Sequence, residues 1–241
     1  MSPSARRRAA ALALLALAAA PALLAQRTGY TPEEFARRRA ALMDQVKDGA
    51  VILFGDAAVP AGTHFRQDND FYYFTGIEDL GAVLVLVPPA RSTYLFLPLR
   101  TDREKQFDGP GLLDEPDAKA RHGFADILPA GDLDAFLARV VGRPEARFHV
   151  RLSPRDALDQ ARSETALSDG RRYRGHYNDQ ISADLHRIDK LRQRYPQVEL
   201  RDVTPLVDAL RAVKTPEEIA VLRRNGKLSA EAVRRAMLAT R

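Results

Sequence analysis

Strand-length and helix-length patterns alternate through most of this chain of 241 residues. Residues 50–54, 81–87 and 93–97 are short apolar runs of the kind that form buried strands. The last two flank a proline-rich loop, Pro88 to Ser92, and are therefore expected to form a hairpin. Short helix and strand patterns follow each other beyond Asp114. Because helices and strands that alternate along a chain pack as layers, the sequence predicts an α/β domain with a sheet and flanking helices.

Cap residues set the expected bounds of several helices. Thr31-Pro32-Glu33-Glu34 begins one that runs to about Val46, and the same motif recurs from Thr215 to Glu218 at the start of the last helix. The other expected elements are helix 118–122, strand 126–128, helix 132–141, strand 147–150, a helix from Ser153-Pro154, an amphipathic helix 179–195, strand 198–203 and a helix from Thr204 to Val213.

The first 25 residues have the composition of a secretory signal peptide. Arg6 to Arg8 precede an apolar run over residues 9–25 that is built almost wholly of alanine and leucine. A membrane anchor is the alternative, but a spanning helix needs about 20 apolar residues, and Pro21 interrupts this shorter stretch. We expect cleavage after Ala25 or after Ala22. The mature protein is then secreted or periplasmic and has no membrane segment.

Charge and cysteine content exclude several classes of function. The 37 basic and 32 acidic residues give +5, and removal of Arg6 to Arg8 leaves about +2, which is too little to favour nucleic acid as a partner. The absence of cysteine excludes disulfides, zinc-thiolate sites and thiol catalysis. The sequence also lacks a Gly-x-Ser-x-Gly elbow, a P-loop and a dinucleotide fingerprint.

Histidines and a basic loop are weaker candidates for a site. The five histidines show no His-Glu-x-x-His or other metal-ligand spacing, so we expect them on the surface or in the core. The segment from Gly170 to Tyr177 is basic and aromatic. It either binds a phosphate or carboxylate or, as we favour, forms a solvated loop between helices.

Three segments together carry a family resemblance: two sequence motifs and, between them, the strands predicted at 81–87 and 93–97. The first is Phe65-Arg66-Gln67-Asp68-Asn69-Asp70-Phe71-Tyr72-Tyr73-Phe74-Thr75-Gly76, which resembles the Arg-Gln-x-x-Asp-Phe-x-Tyr-x-Thr-Gly signature of the Xaa-Pro aminopeptidase and prolidase group. The second is Leu210-Arg211-Ala212-Val213-Lys214-Thr215-Pro216-Glu217-Glu218-Ile219, which is similar to the junction where the catalytic domain of that family begins. The strands predicted at 81–87 and 93–97 fit the same order.

The resemblance implies a fold and a division into domains. The fold is the layered α/β domain found at the N-terminus of creatinase and aminopeptidase P, with a ribonuclease H-like mixed sheet and flanking helices. It is followed by the first helix of a truncated catalytic domain of the pita-bread fold. The corresponding segments are a signal peptide at 1–25, the N-terminal domain at 30–203, a linker helix at 204–214 and the start of the catalytic domain at 215–241.

The resemblance also implies a function for the complete enzyme. Such enzymes release the N-terminal residue from peptides that have proline at position two, using two divalent ions, typically manganese, held by two Asp, one His and two Glu. Residues 215–241 contain no Asp or His, so no ligand is assigned and we expect this chain alone to bind no metal and to be inactive. The family often forms homo-oligomers.

The signature segment itself has two interpretations. In the family it lies towards the active-site cleft and the neighbouring subunit, so Arg66, Asp70, Tyr72 and Tyr73 are candidates for a substrate cleft or interface. In the structural interpretation, residues 71–75 alternate as a strand and Arg66 pairs with an aspartate two or four residues later. The alternative function is a free-standing peptide- or protein-binding module. A nuclease, which the ribonuclease H-like fold would suggest, is disfavoured because the predicted strands carry few carboxylates and the mature charge is near neutral.

Overall fold

The computed structural model describes residues 29–57, 64–142, 146–156, 160–172, 174 and 181–240. The signal peptide predicted at 1–25 and most of the basic loop after Gly170 lie outside these residues. The chain divides into two compact units, of which one is residues 32–213 and the other includes residues 214–240. Within the described ranges, no helix is both long and apolar enough to cross a bilayer.

A six-stranded mixed sheet forms the centre of the larger unit. Its strands are β1 (Ala50–Phe54), β2 (Val83–Val87), β3 (Ser92–Leu97), β4 (Asp126–Pro129), β5 (Arg147–Val150) and β6 (Glu199–Asp202), in the spatial order β4-β3-β2-β1-β5-β6. β2 is antiparallel to both β1 and β3, whereas β4 is parallel to β3 and β5 is parallel to both β1 and β6. The carboxyl ends of β1, β5 and β6 therefore meet at one edge of the sheet.

Eight helices in the described residues accompany this sheet. They are α1 (Pro32–Val46), α2 (Asn69–Thr75), α3 (Asp102–Asp108), α4 (Ala118–His122), α5 (Leu133–Val141), α6 (Arg162–Arg172), α7 (Ala183–Arg194) and α8 (Thr204–Ala212). Single turns of 3-10 helix cover 88–90, 112–114 and 130–132. The α/β fold with a mixed sheet and flanking helices, and the hairpin β2–β3, are confirmed.

Two hydrophobic clusters lie on opposite faces of the sheet. On β1, Val51 and Leu53 belong to the cluster that contains α1, α2 and α8, whereas Ala50 and Ile52 belong to the cluster that contains α5 and α7. β2 is buried along its whole length and alternates in the same way. Because helices cover both faces, the central strands are continuous apolar runs rather than alternating ones.

The structure corrects the predicted state of the signature segment. Residues 69–75 form a helix, not a strand, because the Asp68 carboxylate accepts hydrogen bonds from the backbone N–H groups of Asp70 (3.1 Å) and Phe71 (3.0 Å). An aspartate that caps the first turn satisfies donors that otherwise have no partner. Gly76, in the left-handed region at φ 67°, ends the helix.

Two other helices begin later than predicted. Residues 153–156 are not helical, and the next helix starts at Arg162, where the Glu164 side chain accepts a hydrogen bond from Ala161 N–H. The amphipathic helix expected at 179–195 begins at Ala183 behind the N-cap Ser182. Ile188 and Leu191 are buried as expected, but Ile181 and Leu185 are exposed.

The second unit contains one long helix, α9 (Pro216–Ala239). Its predicted start is confirmed in atomic detail: the Thr215 hydroxyl accepts from Glu218 N–H at 3.2 Å, and the Glu218 carboxylate accepts from Thr215 N–H at 2.8 Å. This reciprocal arrangement is a capping box. None of the side chains of α9 is buried.

Candidate functional site

Gln67 fixes the backbone that leads into α2. Its amide oxygen accepts hydrogen bonds from the N–H groups of Asp56 (2.6 Å) and Asp68 (2.9 Å), and its amide nitrogen donates to the Asp79 carbonyl at 2.9 Å. Gly55 leaves room for this side chain, since a Cβ there would lie 2.9 Å from Gln67 Oε1. The end of β1, the start of α2 and the approach to β2 are thereby joined.

Three arginines surround the buried carboxylate of Asp70. Arg151 Nη1 lies 2.8 Å from Asp70 Oδ2, Arg162 Nη2 lies 3.0 and 2.9 Å from the two oxygens, and Arg211 Nη1 lies 2.5 Å from Oδ1. The Asp70 side chain is only 2% exposed. We call Asp70, its neighbour Asp68 and these three arginines the Asp70 cluster. It lies where the parallel strands β1, β5 and β6 end.

Further carboxylates neutralise the outer sides of the arginines. Arg151 reaches Asp184 at 3.0 Å, Arg162 reaches Asp208 at 2.7 Å and Arg211 reaches Asp156 at 2.8 Å. Charges taken out of water are tolerated only when they are paired and hydrogen-bonded in this way. The cluster is thus an internally compensated network that joins α2, the segment after β5, α6 and α8.

The pKa values of the two aspartates of the cluster are shifted in opposite directions. Burial alone would raise the pKa of Asp70, but the charges and hydrogen bonds of Arg151, Arg162 and Arg211 outweigh it, so its pKa is lowered. Burial raises the pKa of Asp68, and the charge of Asp70 raises it further. Arg151 offsets only part of this shift. The network is therefore built around an ionised Asp70.

The two segments that carry the sequence resemblance meet at this cluster. Arg211 from the junction segment binds Asp70 from the signature segment, 141 positions earlier in the chain. A second contact lies beside it, since the Tyr73 hydroxyl donates a hydrogen bond to the Leu210 carbonyl at 3.0 Å. The last residues of the larger unit are consequently held against α2.

The four predicted site residues differ in exposure. Asp70 and Tyr73 are buried, and Tyr73 packs against the Arg38 guanidinium, 4.2 Å from the ring centroid. Tyr72 is half-buried, with its ring edge-on to Phe35 at 6.1 Å. Arg66 is exposed and bonds Asn69 Oδ1 at 3.2 Å, so the predicted pairing of Arg66 with Asp68 or Asp70 is wrong because other arginines occupy both carboxylates.

Comparison with known proteins identifies the domain. Residues 35–149 match the family model described as the aminopeptidase P N-terminal domain. The chain carries an aminopeptidase P N-terminal domain. The resemblance that the signature and junction segments indicated is confirmed.

The relatives of this aminopeptidase P domain are peptidases. The chain is 30% identical over 218 residues to the Xaa-Pro aminopeptidase of Escherichia coli K12, covering 85% of the chain and 44% of that protein. It is 24% identical over 216 residues to the mitochondrial intermediate cleaving peptidase 55 of Arabidopsis thaliana, covering 87% of the chain and 38% of that protein. The chain thus spans less than half the length of these curated relatives.

Solved structures show the same fold. Aminopeptidase P from E. coli with the inhibitor Pro-Leu superposes with a TM-score of 0.64 at 26% identity, over 88% of this chain and 46% of that one. Aminopeptidase PepP from Pseudomonas aeruginosa gives 0.64 at 26% identity, over 89% and 46%. A zinc-substituted E. coli enzyme in complex with product gives 0.60 at 26% identity, again over 88% and 46%.

Two buried arginines of α1 donate hydrogen bonds to backbone carbonyls of the signature segment. They are not among the site residues predicted from the sequence. Arg39 is fully buried and donates to the carbonyls of Phe74 (2.9 Å), His122 (2.7 Å) and Gly123 (3.1 Å). Arg38 donates to Glu34 and to the Tyr73 carbonyl at 3.1 Å. A signal existed: in α1 these arginines fall at helical spacing from Leu42 and Met43, on the apolar face.

Histidines give no metal centre in the described part of the domain. Among the described residues, no three His, Cys, Asp or Glu side chains come together in an arrangement that could hold an ion. His149, on β5, instead has its Nε2 atom 2.7 Å from Asp48 Oδ1. His176 lies outside the described residues.

Replacement of Gly76 by alanine is expected to destabilise the domain by about 2 to 3 kcal/mol. The glycine has φ 67°, and a Cβ there would lie 2.5 Å from Cζ of the Phe35 ring. Urea unfolding monitored by circular dichroism measures the loss. Gly131→Ala is the matched control, because nothing lies within 4 Å of its Cβ position. Equal stability of the two variants would contradict the packing of Gly76 against Phe35.

Proposed function

We propose that this chain is the N-terminal portion of a secreted or periplasmic Xaa-Pro aminopeptidase. That enzyme releases the N-terminal residue from peptides with proline at position two. In the complete enzyme, the domain formed by residues 32–213 forms one wall of the substrate cleft and supports homo-oligomerisation. The relatives named as Xaa-Pro aminopeptidases support the peptide substrate, and the composition of residues 1–25 supports export.

The contact between the signature segment and the junction segment is the observation that supports this proposal. Arg211 and Leu210 hold the end of the larger unit to α2 through Asp70 and Tyr73. The chain therefore leaves the domain, towards Lys214, from the edge where the signature lies.

Arg66 and Tyr72 are the signature residues best suited to a peptide or a neighbouring subunit. Arg66 is exposed and donates to the neutral amide of Asn69, so its charge is not compensated by that contact. Tyr72 keeps part of its ring accessible. Asp70 and Tyr73, by contrast, act through the internal contacts described above. They position α2 and the end of α8.

The chemistry of the complete enzyme requires metal ions, which we propose to be two manganese ions. Two divalent ions activate a bridging water and polarise the scissile carbonyl. The described residues of this chain do not fit that role, because the acidic side chains of the Asp70 cluster are occupied by arginines. We assign the ligands to a catalytic portion outside these residues.

The purified chain is expected not to hydrolyse an Xaa-Pro tripeptide and not to bind manganese in a calorimetric titration. The protein must come from a host strain that lacks its own aminopeptidase P, because E. coli contains a relative. Proline-specific cleavage that co-purifies with the chain and disappears on chelation would contradict the assignment of the ligands elsewhere.

A chimera provides the positive test. Residues 32–213 replace the corresponding region of the E. coli enzyme, and folding is checked by circular dichroism. Xaa-Pro hydrolysis above that of the catalytic region alone supports the proposal. A folded chimera that is no more active favours the alternative, a free-standing binding module of the same fold. An in-frame coding sequence after Arg241 with two Asp, one His and two Glu at the family spacing also separates the two.

A further inference from the structure

A groove lies on the α5 side of the sheet, away from the Asp70 cluster. It has a volume of about 390 Å³ and is lined mainly by Tyr94, Asp126, Leu128, Phe136, Arg139 and Val140. Clefts of about 300 to 1,000 Å³ with apolar walls and a few polar groups are typical ligand sites. This groove reaches β4, which is one of the two edge strands of the sheet.

The walls of the groove are aromatic. The rings of Tyr94 and Phe136 lie 4.6 Å apart between centroids, on β3 and α5 respectively. Phe136 also packs against Phe96 of the core at 5.3 Å, so its position is fixed from beneath. An apolar side chain that enters the groove contacts a preformed surface. Binding therefore costs little conformational entropy in the groove itself.

The two charges in the groove are not equivalent. Asp126 already accepts a hydrogen bond from Ile127 N–H at 3.0 Å and lies 3.8 Å from Lys119 Nζ. Arg139 is exposed, stacks at 5.6 Å from the Phe136 ring centroid, and has no hydrogen bond or ion pair with any described residue. Its guanidinium donors remain available to a carboxylate from a ligand.

An unpaired strand edge runs beside the groove. β4 pairs with β3 on one side, and no described strand pairs with its other side. Extended peptides bind such edges through backbone hydrogen bonds, and adjacent pockets take their side chains. This feature favours a peptide over a small acid as the occupant.

We propose that the groove binds the C-terminal residue of a peptide. The apolar side chain of that residue contacts Tyr94 and Phe136, its carboxylate pairs with Arg139, and the preceding backbone lies along β4. This site is distinct from the Asp70 cluster. It does not depend on the proposed aminopeptidase function, since it involves only residues of β2 to β4, of the turn between β2 and β3, and of α5.

A tryptophan-terminated peptide tests the proposal directly. The chain contains no tryptophan, so in a mixture with acetyl-Ala-Ala-Ala-Trp the fluorescence anisotropy of the indole reports only the peptide. We expect a saturable rise with the full chain. The C-terminal amide of the same peptide should bind about fivefold more weakly. N-acetyl-tryptophan, which lacks the backbone that reaches β4, should bind about tenfold more weakly.

Variants separate specific binding from general adsorption. Arg139→Gln should weaken the acid about fivefold and leave the amide unchanged. Arg103→Gln is the matched control, because Arg103 stacks at 5.9 Å over the exposed Phe107 away from the groove. Ala90→Leu, at the rim, should reduce binding of both peptides by obstruction. The proposal is overturned if no saturable binding occurs, if acid and amide bind equally, or if N-acetyl-tryptophan binds as tightly as the peptide.

Discussion

Replacement of Asp70 by asparagine is expected to lower the free energy of unfolding by about 3 to 5 kcal/mol. The substitution keeps the shape of the side chain but removes the charge that Arg151, Arg162 and Arg211 share. Three guanidinium groups then remain close together at a buried position. Removal of one partner from a buried ionic network is costly, because the other charges stay desolvated and lose the part of their compensation that the removed charge supplied.

Asp208→Asn is the matched control for Asp70. Asp208 also pairs with Arg162, at 2.7 Å, but its side chain is 48% exposed. Loss of an exposed pair changes stability by about 1 kcal/mol or less. Urea unfolding of both variants, followed by circular dichroism, measures the difference. If Asp70→Asn is as mild as Asp208→Asn, the cluster does not hold α2 to the strand ends.

The effect of Asp70 is expected to depend on pH. The pKa of Asp70 in the folded protein lies below its ordinary value, because the arginines outweigh the cost of burial. The carboxylate therefore contributes its full stability above the unfolded pKa, and that contribution is lost as the pH falls through the folded pKa. Stability curves of the wild-type protein and Asp70→Asn should converge on acidification.

Much of the fold was predictable because its signals are local. The apolar runs of β1 and β2 are short, rich in β-branched residues and bounded by Gly or Pro. Their strand conformation and their burial therefore follow from the sequence. The capping box at Thr215 involves only two residues three positions apart, Thr215 and Glu218. The signature segment predicts a strand because four consecutive aromatic residues and a threonine, residues 71–75, suit a pleated surface. The helix is decided by the cap at Asp68, whose carboxylate accepts hydrogen bonds from the first turn.

The arrangement of the site was less predictable because its contacts are distant in sequence. Asp70 was selected as a site residue, but its partners Arg151, Arg162 and Arg211 lie 81, 92 and 141 positions away. Arg151 follows a strand, and Arg162 and Arg211 lie on helices. The sequence around each of them is equally compatible with a solvent-exposed arginine. The pairing of β5 with β1 brings Arg151 to this carboxylate, whereas Arg162 and Arg211 reach it from α6 and α8.

Replacement of Arg39 by methionine is expected to lower the free energy of unfolding by about 3 to 4 kcal/mol. Methionine fills a similar volume but donates nothing to the carbonyls of Phe74, His122 and Gly123. These carbonyls lie at the carboxyl ends of α2 and α4, where a cation is favoured and buried acceptors need a partner. The lost desolvation of the guanidinium offsets only part of this cost.

Arg39 has a matched control on the same helix and a second variant that separates charge from geometry. Arg37 is 63% exposed, and Glu34 keeps its bond to Arg38 when Arg37 is replaced, so Arg37→Met should cost about 1 kcal/mol or less. Burial lowers the pKa of Arg39 to about 10, so the side chain is still charged at neutral pH. Arg39→Lys keeps a charge but cannot span three carbonyls with one ammonium group. If Arg39→Lys restored full stability in urea unfolding, charge at the helix ends would suffice; we expect only partial recovery, because the fork of the guanidinium is what joins α1 to α2 and α4.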